Sequence, residues 1–137
     1  MPDQTANPSV PPAPAGRRVL CVEDEHFISE LYVRALSKAG YQVDVIADGR
    51  EALAAAQKDI YDIILLDLMI PNLSGIDILN TLKDPSSVPP IKAKIIVITN
   101  LEQREEVRTG IEKQADGYVV KAELTPSELV DFLGNIQ

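Results

Sequence analysis

Two patterns of apolar residues alternate along the chain. Short apolar runs, which predict strands, occur at 17–22, 41–46, 62–67, 93–99 and 116–121. Apolar residues at helical spacing follow each run, at 25–40, 48–58, 74–83, 101–114 and 125–136. The third run, DIILLD, has almost no polar residue between its ends, which indicates a strand buried on both faces. Five alternating strand–helix pairs predict an α/β fold, a doubly wound five-stranded parallel sheet with helices on both faces.

Helix boundaries carry their own signals. Asp48, Ser74 and Thr125 stand where the second, third and fifth helices begin, and each is a residue type that caps a helix N-terminus. Gly40 follows the last turn of the first helix and predicts its end. The fourth helix is weakly apolar and contains Gly110, which predicts the least firmly held element of the domain.

The length of 137 residues fits one folded domain. Residues 1–16 hold five of the ten prolines and no aromatic residue, so we predict a disordered proline-rich tail or linker there. The folded domain is then predicted to span 17–137. One cysteine excludes an intrachain disulfide.

The formal net charge is −8. Such a surface repels phosphate backbones, which argues against direct nucleic-acid binding and favours protein or cation partners. The sequence has neither an apolar stretch of membrane-spanning length nor a secretory signal at its start, so we expect no membrane contact and a cytoplasmic location.

Polar side chains stand at the carboxyl ends of four predicted strands. These ends lie at one edge of a parallel α/β sheet, where ligands bind. The residues are Glu23, Asp24 and Glu25 after the first strand, Asp67 at the end of the third, Thr99 at the end of the fourth and Lys121 at the end of the fifth.

Taken singly, each of these residues is more often a helix cap or a solvated turn residue. Their joint placement favours another interpretation. Mg²⁺ takes oxygen ligands and removes the repulsion between carboxylates, while a lysine and a hydroxyl can hold phosphoryl oxygens. A carboxylate nucleophile completes the parts needed to accept a phosphoryl group.

Four motifs then resemble the receiver domain of two-component response regulators. They are VLCVEDE, LLDLMIPNLSG, VIT and GYVVK, in this order within residues 17–137. The resemblance implies a flavodoxin-like (βα)5 receiver fold with Asp67 as the phosphoacceptor. Two positions depart from the family's usual pattern, because Asn100 replaces a small residue and Ala122 replaces a proline.

The same resemblance implies roles for the other site residues. Asp24, Asp67 and the carbonyl of Met69 would ligate Mg²⁺, and Glu23 would contribute through water. Thr99 and Lys121 would bind the phosphoryl group. Tyr118 would act with Thr99 as the switch that turns inward on phosphorylation.

The implied function is phosphorylation-controlled signalling. A sensor histidine kinase or a histidine phosphotransfer protein would supply the phosphoryl group. A downstream protein would bind the face formed by the fourth helix, fifth strand and fifth helix. We expect no enzymatic activity beyond the chain's own phosphorylation and dephosphorylation. The chain resembles a stand-alone, chemotaxis-regulator-like receiver, although a phosphorelay intermediate or a piece of a longer protein would have the same sequence features.

Three rival functions remain open at this stage. A phosphatase of the haloacid dehalogenase type also uses a strand-end aspartate, but it needs a second aspartate where this chain has Met69. A flavodoxin-like electron carrier needs a hydroxyl-rich phosphate loop after the first strand, where this chain has acids. A degenerate receiver that only binds partners is the third rival, and it would not need the complete acceptor site seen here.

Overall fold

The computed structural model describes residues 17–100 and 104–136. The strands are β1 (Arg18–Val22), β2 (Gln42–Ile46), β3 (Ile63–Asp67), β4 (Lys94–Thr99) and β5 (Gly117–Val120). The helices are α1 (His26–Lys38), α2 (Gly49–Ala56), α3 (Gly75–Leu82), α4 (Glu105–Gln114) and α5 (Pro126–Asn135). Every one of these elements lies within its predicted range. The predicted tail at 1–16 and the first three residues of the predicted fourth helix lie outside the described residues.

The strands form one parallel sheet in the order β2–β1–β3–β4–β5. This arrangement confirms the predicted doubly wound α/β fold. Central strand β3 is buried along its whole length. Its ladder with β4 sets Asp67 beside Ile98, so Asp67 and Thr99 end neighbouring strands at the same edge.

Two apolar cores explain why β3 lacks polar residues between its ends. Ile64 and Leu66 face the core beneath α2, α3 and α4. Ile63 and Leu65 face the core beneath α1 and α5. Because successive side chains of a strand point to opposite faces, both sets must be apolar.

The predicted boundary residues of α1, α2, α3 and α5 are confirmed. Asp48 accepts hydrogen bonds from the first turn of α2, and Ser74 accepts one from the first turn of α3. Thr125 and Glu128 form a capping box at the start of α5. Gly40 follows α1 with φ 103°, a left-handed conformation that glycine adopts without steric cost. The departure at Ala122 lies in a 3₁₀ turn, Lys121–Glu123, that joins β5 to α5.

Candidate functional site

Asp67 is the last residue of β3, and it is only 2% exposed. Its two carboxylate oxygens have different partners. Oδ1 accepts a hydrogen bond from the backbone N–H of Met69 at 3.0 Å, and Oδ2 accepts one from Lys121 Nζ at 3.0 Å. The loop after β3 and the residue after β5 therefore meet at this carboxylate.

The ammonium group of Lys121 lies among acids from two strand ends. Its Nζ is 2.6 Å from Glu23 Oε1 and 3.6 Å from Glu25 Oε1, and the lysine side chain is only 6% exposed. Burial alone would lower the pKa of Lys121, but hydrogen bonds to Glu23 and Asp67 raise the pKa above its usual value. The raised pKa keeps the Lys121 ammonium charged at neutral pH.

Glu23 follows β1 and is as buried as Asp67. Its Oε2 accepts a hydrogen bond from the backbone N–H of Glu25 at 3.1 Å. Burial raises the pKa of Glu23, and the nearby Asp67 charge adds to this rise, while the Lys121 hydrogen bond opposes it. This carboxylate is thus held in place by both the backbone and the lysine.

Glu23, Asp24 and Asp67 can bring carboxylate oxygens within 4.8 Å of one another. Oxygen donors at this spacing are what a hard divalent cation requires. Among the described residues, the Lys121 ammonium is the cation that the ion pairs place against this cluster, so carboxylates outnumber it. The donor chemistry and the charge balance both fit a divalent cation, so this cluster could bind a metal.

Thr99 ends β4 beside this cluster and is 2% exposed. Tyr118 lies elsewhere, on β5 opposite Val97 and against the core beneath α4. Its hydroxyl is buried and has no hydrogen-bond partner among the described residues. The guanidinium of Arg108, on α4, lies 4.6 Å from the centre of its ring. Of the two predicted switch residues, Thr99 thus lies beside the acidic cluster and Tyr118 lies beneath α4.

Sequence reasoning missed two features of this region. The strand-end pattern places Glu25 at the edge without a role, although Glu25 lies within ion-pair distance of Lys121. Asp48 was predicted only as a helix cap, yet it also accepts a hydrogen bond from Asn72 in the loop after β3. The charge of Glu25 beside an acid pair was a usable signal for the first contact. The second joins residues far apart in sequence and had no local signal.

Similar proteins were found both among curated sequences and among solved structures. The DNA-binding response regulator MtrA of Mycolicibacterium smegmatis is 37% identical over 114 residues, which are 83% of this chain and 47% of that protein. The transcriptional regulatory protein HprR of Escherichia coli is 35% identical over 104 residues, 76% of this chain and 44% of that protein. The chemotaxis response regulator CheY4 of Vibrio cholerae superposes with a TM-score of 0.75 at 31% identity, covering 88% of this chain and 98% of that one.

One expectation is wrong in the light of these relatives. The negative net charge predicts no direct nucleic-acid binding, but the relative MtrA is a DNA-binding response regulator. This chain spans about half the length of the curated relatives that it matches. The net charge of one domain therefore does not describe binding by the longer proteins in which the domain occurs. For the same reason the relatives do not confirm that the receiver stands alone.

Among the helices of the described residues, none combines the length and apolar character that crossing a membrane requires. The family model for the response regulator receiver domain matches residues 19–133. The matched residues include β1 from Val19, the four other strands, and the acidic cluster with Lys121. The chain therefore belongs to the response regulator receiver domain family of two-component signalling.

Proposed function

We propose that Asp67 accepts a phosphoryl group from the phosphohistidine of a sensor kinase or a phosphotransfer protein. One observation carries this proposal, namely that Lys121 Nζ lies 3.0 Å from Asp67 Oδ2 and 2.6 Å from Glu23 Oε1. In the transfer, an Asp67 oxygen forms a bond to phosphorus as the phosphorus–nitrogen bond of the donor breaks. The electron pair of that bond stays on the ring nitrogen, and the donor ring, protonated on its other nitrogen, leaves as neutral imidazole. The chain thereby promotes its own phosphorylation.

The cation in this proposal is Mg²⁺. Glu23, Asp24, Asp67 and the carbonyl of Met69 would hold it. Bound there, the ion would offset the negative charge of the acceptor and the incoming phosphoryl oxygens. The support is the excess of carboxylates over ammonium groups at the edge of the sheet.

Lys121 and Thr99 would act on the phosphoryl group after its transfer. Lys121 keeps its positive charge, so it can pair with a phosphoryl oxygen as readily as with the free carboxylate of Asp67. Thr99 ends the strand next to that of Asp67 and can offer its hydroxyl. Thr99 would move towards the phosphoryl group to donate this hydrogen bond and would leave space near β5. Tyr118 would then turn inward into that space.

The output surface in this proposal is the face formed by α4, β5 and α5. Helix α4 buries only Ile111 among its described residues. Arg108 on the same helix covers the ring of Tyr118, which links α4 directly to the proposed switch residue. An element with so little buried surface can change its arrangement at small cost in free energy. A downstream protein that prefers one arrangement would read the phosphorylation state.

The acceptor is tested by the substitution Asp67→Asn, which keeps the shape of the side chain but removes the nucleophile. The chain is incubated with Mg²⁺ and phosphoramidate, a small donor with a phosphorus–nitrogen bond, and its mass is measured. We expect the wild type to gain one phosphoryl group and Asp67→Asn to gain none. Chelation of Mg²⁺ should abolish the gain in the wild type.

A matched control is Asp131→Asn, the same change at an exposed aspartate of α5. It should gain the phosphoryl group as the wild type does. Labelling of Asp67→Asn, or labelling of the wild type that survives chelation, would contradict the proposal. For the output face, amide exchange in α4 should change when beryllofluoride is added to the Mg²⁺-loaded chain, and an unchanged α4 would exclude that part.

A further inference from the structure

The β3–α3 loop, residues 68–74, contacts the N-terminus of α2 at two points. The carbonyl of Pro71 accepts a hydrogen bond from the backbone N–H of Gly49 at 3.0 Å. The side-chain amide of Asn72 donates a hydrogen bond to Asp48 Oδ2. The middle of this loop is therefore held by α2, although the loop leads into α3.

The two backbones also approach too closely for any side chain at Gly49. A Cβ atom there would lie 2.0 Å from the carbonyl oxygen of Leu73, and that oxygen belongs to the backbone and cannot rotate away. Asn72 has φ 71°, a left-handed conformation that asparagine tolerates better than most residues. Close contact and an uncommon backbone angle together fix one path for this loop.

The ends of the same loop are tied to the acceptor. At its start, Met69 donates its backbone N–H to Asp67 Oδ1 at 3.0 Å. At its end, Gly75 donates its backbone N–H to the carbonyl of Leu68 at 3.0 Å. A Cβ atom on Gly75 would lie 2.3 Å from the carbonyl oxygen of Asp67. The loop that contacts α2 in its middle is thus tied at its ends to Asp67 and its neighbours.

We propose that Asp48 is a positioning residue for the phosphorylation site, acting through Asn72 on the β3–α3 loop. This inference rests on the proposed function, since it concerns the cation affinity of that site. Asp48 uses its two oxygens for two tasks: Oδ1 caps α2 through the backbone N–H groups of Arg50 and Glu51, and Oδ2 holds Asn72. The second task fixes the loop that carries Met69 and orients Asp67.

Two substitutions separate holding the loop from capping the helix. Asp48→Ser keeps a good N-cap residue, but serine has no second oxygen to accept from Asn72. Asn72→Gly removes the amide donor and keeps a residue for which φ 71° carries no strain. Asp84→Ser is the matched control, because Asp84 also accepts hydrogen bonds from a following turn but lies after α3, at the opposite edge of the sheet.

Magnesium affinity is the main measurement, made by titrating the full chain with MgCl₂ in a calorimeter. We expect Asp48→Ser and Asn72→Gly each to weaken Mg²⁺ binding about three- to tenfold, because residues that orient ligands commonly change metal affinity by this order or more. The double variant should bind Mg²⁺ no more weakly than the weaker-binding single variant. Both substitutions remove the same hydrogen bond, the one between Asp48 and Asn72. Asp84→Ser should bind as the wild type does.

The initial rate of labelling by phosphoramidate and the free energy of unfolding are measured in parallel. At saturating Mg²⁺ the labelling rate of both variants should return towards that of the wild type, which a general loss of structure would not allow. Wild-type affinity in both variants, or equal weakening in Asp84→Ser, would overturn the inference while leaving the proposed function intact. A wild-type chain that neither binds Mg²⁺ nor takes up the label would overturn both, so the two failures are distinguishable.

Discussion

The β3–α3 loop and helix α4 follow neighbouring strands of the same sheet, but they are held very differently. Where the loop enters α3, Gly75 has no room for a methyl group, and Ser74 caps the helix with its side chain. In α4, Gly110 has open space around it, and Arg104 makes no capping hydrogen bond. Ile111 is the one buried residue of α4 among those described.

Under the proposed function, this difference would place the chemistry in the loop and the response in α4. A carboxylate that binds a cation and attacks phosphorus needs one fixed orientation, which backbone contacts on both sides of the loop impose. A helix that reports a chemical change needs a second arrangement of similar free energy, which a small buried surface permits. We infer that the loop would hold the reacting groups in place and that α4 would respond to their phosphorylation.

The largest expected effect is that of Gly75→Ala. The new methyl group would lie 2.3 Å from the carbonyl oxygen of Asp67 and 2.7 Å from the Cα of Leu68, so backbone must move. We expect a loss of about 2–3 kcal/mol in the free energy of unfolding, measured with urea. Gly134→Ala, at a site with nothing within 4 Å, is the control and should not be destabilised. A loss in Gly75→Ala no larger than in this control would remove the contrast.

The same substitution at two tyrosines should have opposite effects. Tyr61, just before β3, donates its hydroxyl to Asp44 Oδ2 at 2.6 Å, and burial together with this bond raises its pKa to about 12. Tyr61→Phe should therefore lower the free energy of unfolding by about 1.5 kcal/mol. The buried hydroxyl of Tyr118, beneath α4, has no hydrogen-bond partner among the described residues. Tyr118→Phe should therefore raise the free energy of unfolding by about 1 kcal/mol. If urea unfolding showed that both substitutions change this free energy in the same direction, the prediction would be refuted.

Gly110→Ala should stabilise the chain. Gly110 lies inside α4 with open space around it, and alanine has the higher helix propensity. We expect a gain of about 0.5–1 kcal/mol in urea unfolding and slower amide exchange confined to α4. If amide exchange slowed equally in α4 and β3, the helix would not open independently of the sheet. That result would weaken the comparison.

Much of the fold could be predicted from the sequence because the signals are local. An uninterrupted apolar run places β3 at the centre of a sheet covered on both faces, and the structure confirms this. Asp48, Ser74 and Thr125 cap the helices that they were predicted to cap. Capping and strand patterning depend on neighbours in sequence, so one chain is enough to find them.

The contacts within the site could not be predicted in the same way. Strand-end placement predicted that Glu23, Asp67 and Lys121 share an edge, and the structure brings these three together. The distances between them, however, depend on how the whole sheet twists and packs. The bond from Asn72 to Asp48 joins two loops through a left-handed turn, and no pattern of polar residues specifies it.

The smallest expected effect is a titration that tests the contact between Asp48 and Asn72. Hydrogen bonds from the backbone N–H of Glu51 and then from the Asn72 amide hold the pKa of Asp48 below its usual value. A lowered carboxyl pKa contributes stability that is present above the unfolded-state pKa and is lost as the pH falls through the folded-state pKa. The contact should therefore persist at neutral pH and fail only in acid.

Removing the amide donor sharpens this test. In Asn72→Gly the pKa of Asp48 should rise towards its usual value, yet stay below it, because the helix N-terminus still donates to Oδ1. Carboxyl chemical shifts of Asp48 followed from neutral to acid pH would measure the change. Asp84, whose pKa is lowered by hydrogen bonds from Ser86 and Ser87, is the internal control and should titrate identically in both chains. An unmoved Asp48 titration would mean that Asn72 does not hold this carboxylate in solution. The loop would then owe its path to its backbone contacts, among them the Gly49–Pro71 hydrogen bond and the close approach of Leu73 to Gly49.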